Sequence, residues 1–450
     1  MMIRAIRALG HPNTWMRDVL LQRLVKNATI LFGGNLIVSF LGLVSLSLTA
    51  RTLGAEGFGI LVMITTYVLI VDRLVNFQSW QAIIKYGSDA LEQKHSDDFK
   101  ALIRFGFLLD AVTAILGAVS AALAAWFVGR WRGWNSQYVL MASLYSITIL
   151  FHIAGTPIAI LRLFDKFKSI SVQNAVGAGI KVVGIAIAFW LEAGIWGFMA
   201  VWAVVDIAGK IILIALSLRE MKRQGLGGFW RGGAGRGIAS RFKGVWGFVW
   251  TTNINSSIRM ASREADVMII GAALGPAMVG LFKIAKQFSG IVLQLIDPLY
   301  QAVFPELAKL YARREIRLFI RFGVRSSILA GIFAVGVWVV FLFFGEWIIE
   351  MTAGSAFQEA NRVLLWYMAA IVIGAAGFPL QPAMLSMGRP YITFWVHIGS
   401  TLIYFGALFL LLGRFGIVGA GMAYVAYYFV WVFVMLVIEA NLLRHSLAQA

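Results

Sequence analysis

The sequence is a succession of continuous apolar runs about twenty residues long, and few folds can accept such a chain. Coiled as a helix, a run of that length spans the hydrocarbon core of a bilayer. The runs fall at roughly 27–49, 58–79, 101–128, 138–160, 171–191 and 195–217. A second set falls at about 245–271, 276–299, 319–344, 362–386, 391–412 and 416–439. They do not alternate over about ten residues as membrane β-strands do. Only 13% of the residues are charged, against about a quarter in soluble domains. Hydrocarbon offers no partners to backbone N–H and C=O groups, so each span must satisfy its own by coiling. The expected fold is an all-α polytopic membrane protein with about twelve transmembrane helices.

Lys and Arg orient the chain. With the N-terminus in the cytoplasm, the inward segments carry 27 of the 39 Lys and Arg, the outward ends carry 5, and 7 lie inside spans. This positive-inside asymmetry puts both termini in the cytoplasm. It also gives the net charge of +18 a membrane origin, and no nucleic-acid partner is expected. The basic start, "MMIRAIRALGHPN", lacks the apolar core and cleavage site of a signal peptide, so a retained N-terminus is expected. Residues 1–26 read as a cytoplasmic and interfacial segment, with Trp15, Met16, Val19, Leu20 and Leu24 on one face.

Six spans lie on each side of "REMKRQGLGGFWRGGAGRGIASRFK", residues 219–243. That stretch reads as a flexible cytoplasmic linker. Its clustered cations also suit anionic lipid. The halves resemble each other: "LGAEGFGIL" at 53–61 and "LGPAMVGLF" at 274–282 share Leu-Gly-x-x-x-x-Gly, displaced by half the chain. An even number of spans per half predicts a parallel repeat about an axis along the membrane normal. The expected organisation is an N-lobe over 27–218, the linker, a C-lobe over 244–440 and a short cytoplasmic tail, 441–450.

Charges inside the spans carry the functional content. Each would cost about 2.5–3.5 kcal/mol at a lipid-facing helix centre, so they must pair or line water. In the seventh span Thr252, Asn255, Arg259, Arg263 and Asp266 recur at steps of three and four, forming one polar stripe. In the eighth, Lys283, Gln287, Gly290, Gln294 and Asp297 do the same. Asp72, with Arg73 beside it, belongs to a broken stripe in the second span, and Lys181 to a small-and-polar face in the fifth. Two readings of the cationic cluster stand side by side: an anion site, and a structural network. Arg259 and Arg263 repel one another one turn apart, and arginine's planar fork matches phosphate oxygens. Arg259, Arg263, Lys283, Lys286, Lys181 and Arg73 are therefore the candidate anion-binding residues. Asp72, Glu264, Asp266, Asn255 and Gln287 are the candidate counter-ions and polar lining. Asp206 and Lys210, one turn apart, read as a neutralised pair, and Asp110 as locally hydrogen-bonded. His152 and His397 read as satisfied interhelical donors.

The chain has no G-x-x-x-x-G-K-(S/T) phosphate loop and no metal-ligand spacing. Its outward loops are too short for a catalytic domain. No cofactor, metal or catalytic residue is expected.

"TLGAEGFGIL", "ADVMIIGAALGPAMVGLFKIAKQ", "VFPELAKLYARRE" and "EWIIEMTAGSAFQEANRVLLW" resemble the bacterial oligosaccharide flippases. These are the Wzx-type polysaccharide transporters of the multidrug/oligosaccharidyl-lipid/polysaccharide exporter superfamily. The resemblance implies two six-helix lobes around a cation-lined cavity in the bacterial inner membrane. The implied cargo is a polyprenyl-diphosphate-linked oligosaccharide, such as an O-antigen or exopolysaccharide repeat unit, moved between leaflets by alternating access. It further implies a functional monomer working beside a polysaccharide polymerase and other assembly proteins. The competing readings are a cation-coupled multidrug antiporter of the same fold, a flippase of lipid-linked peptidoglycan precursor, and a membrane enzyme acting on polyprenyl-linked glycans.

Overall fold

The computed structural model describes residues 19–77, 79–132, 134–229 and 237–448. The side chains of 19–32, 128, 130–132, 239, 255, 256, 258–263, 297, 298, 301, 302 and 445–448 lie outside the described residues. The apolar face expected at Trp15 to Leu24 therefore lies outside them as well.

Among the described residues the chain is helical throughout, with no strand. The helices are α1 (Val19–Val75), α2 (Trp80–Glu92), α3 (Ser96–Arg132), α4 (Ser136–Tyr145), α5 (Gly155–Leu163), α6 (Phe167–Trp190) and α7 (Gly194–Arg223). They continue with α8 (Ile238–Arg241), α9 (Val245–Leu274), α10 (Pro276–Ala312), α11 (Ile316–Ala353), α12 (Ala360–Gly377), α13 (Leu380–Ser386), α14 (Pro390–Phe415) and α15 (Val418–Ala448). Ten stretches among the described residues are long and apolar enough to cross a membrane. Two details reconcile that count with twelve runs. α1 contains two passes that meet at Gly54, whose backbone leaves the helical region. α9 holds Arg259, Arg263, Glu264 and Asp266 within eight residues and is not among the ten.

The turns at the two ends of the hairpins are built differently. At the ends richer in Lys and Arg, helices close by paired hydrogen bonds around one left-handed residue: His95 N–H to Ala90 O with Lys94 N–H to Leu91 O, and Glu315 N–H to Leu310 O with Arg314 N–H to Tyr311 O. This is a Schellman closure, and Lys94, Asp165 and Arg314 accept the left-handed conformation at φ 58°, 56° and 60°. At the opposite ends Gly54 (φ 66°, ψ 179°) and Gly275 (φ 86°, ψ 175°) lie in a region open only to glycine. These are the two glycines of the repeated motif, and their matching backbone angles support the repeat. The second glycines of the motif meet: a Cβ on Gly59 would overlap the Pro276 carbonyl, and one on Gly280 that of Ala55.

By internal contacts the chain forms two compact units. The N-terminal unit comprises residues 1–42, 71–190 and 197–259, and the C-terminal unit 43–70, 191–196 and 260–450. In the N-terminal unit, Ile83, Phe99, Leu102, Ile103 and Ile160 form a core that also takes in Leu226, Phe229, Ile238 and Phe242 from the linker. Phe229 stacks on Phe107 at 5.8 Å, Arg104 Nη1 donates to the Phe229 carbonyl at 2.7 Å, and Arg241 pairs with Asp98 at 3.0 Å. The linker is thus tethered at both flanks, although its glycine content suggested a free connection.

Candidate functional site

Two polar clusters occupy membrane-spanning segments, one in each unit.

The N-terminal cluster forms where two helices are interrupted. The second pass leaves α-helical geometry after Val75 and resumes at Trp80. The fourth pass changes from α4 to a 3-10 turn over Ser146–Phe151, opens at 152–154 and resumes as α5. Freed backbone groups need partners where no water reaches, and side chains supply them. Asp110 Oδ2 accepts from Thr156 N–H at 2.8 Å, which caps α5. Asn76 Nδ2 donates to the His152 carbonyl at 3.2 Å and to Asp72 Oδ1 at 3.1 Å. Thr113 Oγ1 donates to Asn76 Oδ1 at 3.0 Å.

His152 sits at the centre. Its Nδ1 lies 3.0 Å from Asp72 Oδ2, and its Nε2 lies 2.6 Å from Asp206 Oδ2. Lys210 Nζ is 3.7 Å from the other Asp206 oxygen. Asp72 thus finds its partner in the break of another pass. Asp206 does more than neutralise Lys210, and His152 is no isolated donor. The sequence held the signal in "HIAGTP", residues 152–157: Gly155 and Pro157, three and five residues after the histidine, mark a helix break, and a break exposes its flanking residue to several helices at once. Lys181 rests over the Trp202 ring at 3.6 Å, a cation–π contact. The Arg73 Nε is buried and makes no hydrogen bond among the described residues.

The C-terminal cluster joins α9, α10, α12 and α14. Lys286 Nζ donates to both oxygens of Asp266, at 3.0 and 3.1 Å. Lys283 and Lys286 each lie 3.7 Å from Glu264 Oε2. The Tyr404 hydroxyl donates to Asp266 Oδ2 at 3.3 Å, and the Tyr367 hydroxyl is 3.5 Å from that of Tyr404. Tyr367 stacks on Tyr424 at 4.4 Å, and Tyr427 bonds His397 Nδ1 at 3.0 Å. The two tyrosine hydroxyls escaped the sequence reading, because an aromatic residue on an apolar helix looks like core packing until a carboxylate is found beside it.

Of the residues singled out in the sequence, Lys283, Lys286, Glu264 and Asp266 come together. Asp72 belongs to the other cluster, with Arg73 next to it in the chain and Lys181 acting electrostatically on Asp206. Gln287 is half-buried on α10. Asn255, Arg259 and Arg263 lie on α9, but their side chains are outside the described residues. The described part of the C-terminal cluster, two lysines against two carboxylates, is electrically neutral.

These helices, their glycine turns and their interrupted passes define a multi-pass membrane protein of the MATE transporter fold. An inward-facing multidrug resistance MATE family transporter of the MOP superfamily superposes with a TM-score of 0.72 at 12% identity, over 92% of this chain and 96% of that one. The lipid II flippase MurJ, in an inward closed conformation, matches with a TM-score of 0.64 at 12% identity, over 90% and 87%. The eukaryotic MATE transporter AtDTX14 gives 0.61 at 14% identity, over 95% and 99%. Sequence gives the narrower class. The polysaccharide biosynthesis protein family model matches residues 24–311, and the chain belongs to that family. The inner membrane protein YghQ of Escherichia coli (strain K12) is 30% identical over 350 residues, which is 78% of this chain and 98% of that protein.

Proposed function

We propose that this chain is a flippase that moves a polyprenyl-diphosphate-linked oligosaccharide from the inner to the outer leaflet of the bacterial inner membrane by alternating access. One observation carries the reading: a member of a polysaccharide biosynthesis family is built almost wholly of membrane-spanning helices on a transporter fold. Such a chain serves its pathway by moving cargo and is no enzyme. A lipid-linked diphosphate needs cations, the glycan needs polar lining, and the polyprenyl tail is content in hydrocarbon.

In this reading the lobes 27–218 and 244–440 rock in alternating access, with both termini in the cytoplasm. Arg259 and Arg263 receive the diphosphate. Lys283 and Lys286 exchange their carboxylate partners for phosphate oxygens, and Arg73 and Lys181 contribute from the N-terminal unit. Asp72, Glu264 and Asp266 hold these cations when no cargo is bound, and Asn255 and Gln287 line the path. The protein acts as a monomer beside a polysaccharide polymerase. The test is the double variant Arg259→Gln/Arg263→Gln. Surface polysaccharide should be lost while the amount of protein in the membrane stays at the wild-type level. Continued export would place the diphosphate elsewhere. The MATE fold also suits drug–cation exchange, so drug susceptibility of a deletion strain distinguishes that reading.

A further inference from the structure

We propose that one face of α11 is a docking site for an anionic phospholipid, with its phosphate on Arg317, Arg321 and Arg325 and an acyl chain in the groove between α11 and α12. The site belongs to the bilayer-facing surface and does not depend on what the protein transports.

The stretch "IRLFIRFGVR", residues 316–325, sets three arginines four residues apart. Four residues are just over one helical turn, so the three share a face of α11, each about 6 Å further along it than the last. All three are exposed. Like charges at this spacing repel. Among the described residues no carboxylate pairs with any of them, and Glu306, at the same end of the hairpin, is taken by Lys309 at 2.7 Å. Arg313 and Arg314, exposed in the turn before α11, add to the positive charge. Cations gathered in a loop satisfy the positive-inside tendency wherever they point. These instead climb one face of a spanning helix. Three guanidinium groups at successive depths suit phosphate oxygens, which arginine's planar fork matches.

Depth puts these arginines at headgroup level. Residues 326–344 carry no charge and extend about 28 Å as a helix, close to the roughly 30 Å of the hydrocarbon core. Arg325 therefore stands at the edge of the hydrocarbon, with Arg321 and Arg317 in the headgroup layer beyond it. The same face continues into the hydrocarbon. From Arg325, steps of three, four and three reach Ile328, Ile332 and Val335, all exposed. With Ser327, Gly331 and Ala376 of α12 they line an open groove of about 400 Å³. Small residues make the groove: Gly331 has no side chain, and a Cβ there would stand 3.8 Å from that of Ala376. Ser327 brings its one polar side chain. A free phosphate would use the arginines alone, and a neutral lipid the groove alone. An anionic phospholipid uses both, because the groove begins one turn past Arg325 on the same face.

Native mass spectrometry of the full chain, titrated in detergent with dioleoyl-phosphatidylglycerol or dioleoyl-phosphatidylcholine, counts bound lipid and gives the affinity for each. Wild type should prefer phosphatidylglycerol by about tenfold or more. Each arginine near an anionic surface is worth about fivefold in affinity, so Arg317→Gln/Arg321→Gln/Arg325→Gln should weaken phosphatidylglycerol by about a hundredfold and leave phosphatidylcholine unchanged. Gly331→Leu keeps every arginine and fills the groove. By displacing about two methylenes of the chain it should weaken phosphatidylglycerol about tenfold, while glycerol phosphate, a headgroup without a chain, competes equally in both proteins. Lys94→Gln/Lys222→Gln/Lys243→Gln removes three exposed cations from the N-terminal unit and should keep the wild-type preference. Unchanged binding in the two α11 variants would overturn the site, and so would an equal loss in the lysine variant, which would mean diffuse charge. Should the arginine variant fail to accumulate in the membrane, Gly331→Leu decides alone. A polyprenyl diphosphate held more tightly than phosphatidylglycerol, and lost with the arginines, would overturn the phospholipid assignment and give this face to the cargo.

Discussion

Replacing Lys286 with methionine isolates the energetics of the C-terminal cluster. Asp266 is 4% exposed, and its oxygens receive Lys286 at 3.0 and 3.1 Å. Its other donors among the described residues are neutral: the Val267 N–H at 2.8 Å and the Tyr404 hydroxyl at 3.3 Å. Lys286→Met takes from a buried carboxylate the described cation that hydrogen-bonds it, at a cost of about 3–5 kcal/mol. Asp266→Asn should cost less, about 1–3 kcal/mol, because Lys286 keeps Glu264 at 3.7 Å. Combining the two removes both charges and leaves side chains of similar volume, so the double variant should lie within about 1 kcal/mol of wild type. The interaction energy is then at least about 3 kcal/mol, the top of the usual range for a contacting pair. Denaturant unfolding in mild detergent, followed by the fluorescence of the 16 tryptophans, measures all four proteins. If the costs of the single variants simply add in the double variant, the pair is not coupled and the argument fails.

The turn chemistry predicts opposite signs at two positions. Gly275→Ala forces a Cβ into a backbone region reserved for glycine and should cost about 1–3 kcal/mol. Arg314→Gly relieves a left-handed non-glycine residue and should stabilise by up to about 1 kcal/mol. The same unfolding assay reads both, and equal signs would contradict the assignment. The tethered linker gives another test: Phe229→Ala removes the stack on Phe107 and should speed tryptic cleavage within 219–243 severalfold. Unchanged cleavage would mean that the Arg104 contact alone holds it.

The passes were legible in the sequence because solvent dictates them: hydrocarbon admits only segments that satisfy their own backbone. The repeat was legible because turn geometry demands particular residues. Gly54 and Gly275 recur with matching angles, and no other residue serves there. Interruptions within a pass were harder to read. The break after Val75 contains no proline; its Phe77 N–H donates to Thr113 Oγ1 at 3.3 Å, and Asn76 holds the His152 carbonyl of the other break at 3.2 Å, residues that look unremarkable on a helical wheel.

Pairing was the least legible property, for a geometric reason. Sequence spacing identifies neighbours one turn apart on one helix, about 5–6 Å between Cβ atoms. Packed helices, with axes about 8–10 Å apart, bring other helices' side chains just as close. Where no water competes, the closest partner in space prevails. Asp206 has Lys210 four residues on at 3.7 Å, yet its shorter contact, 2.6 Å, reaches back 54 positions to His152. Asp266 takes Lys286, 20 positions on and on another helix, with both its oxygens. This separates the two kinds of cation on α9 and α10. Removing Lys286 takes from Asp266 the cation it hydrogen-bonds, and removing Lys283 takes one of the two lysines at Glu264, so either change perturbs folding along with charge. Neutralising Arg259 and Arg263 leaves Glu264 and Asp266 with the lysines that already hold them. Loss of export at normal protein levels is therefore informative for the arginines in a way it cannot be for the lysines.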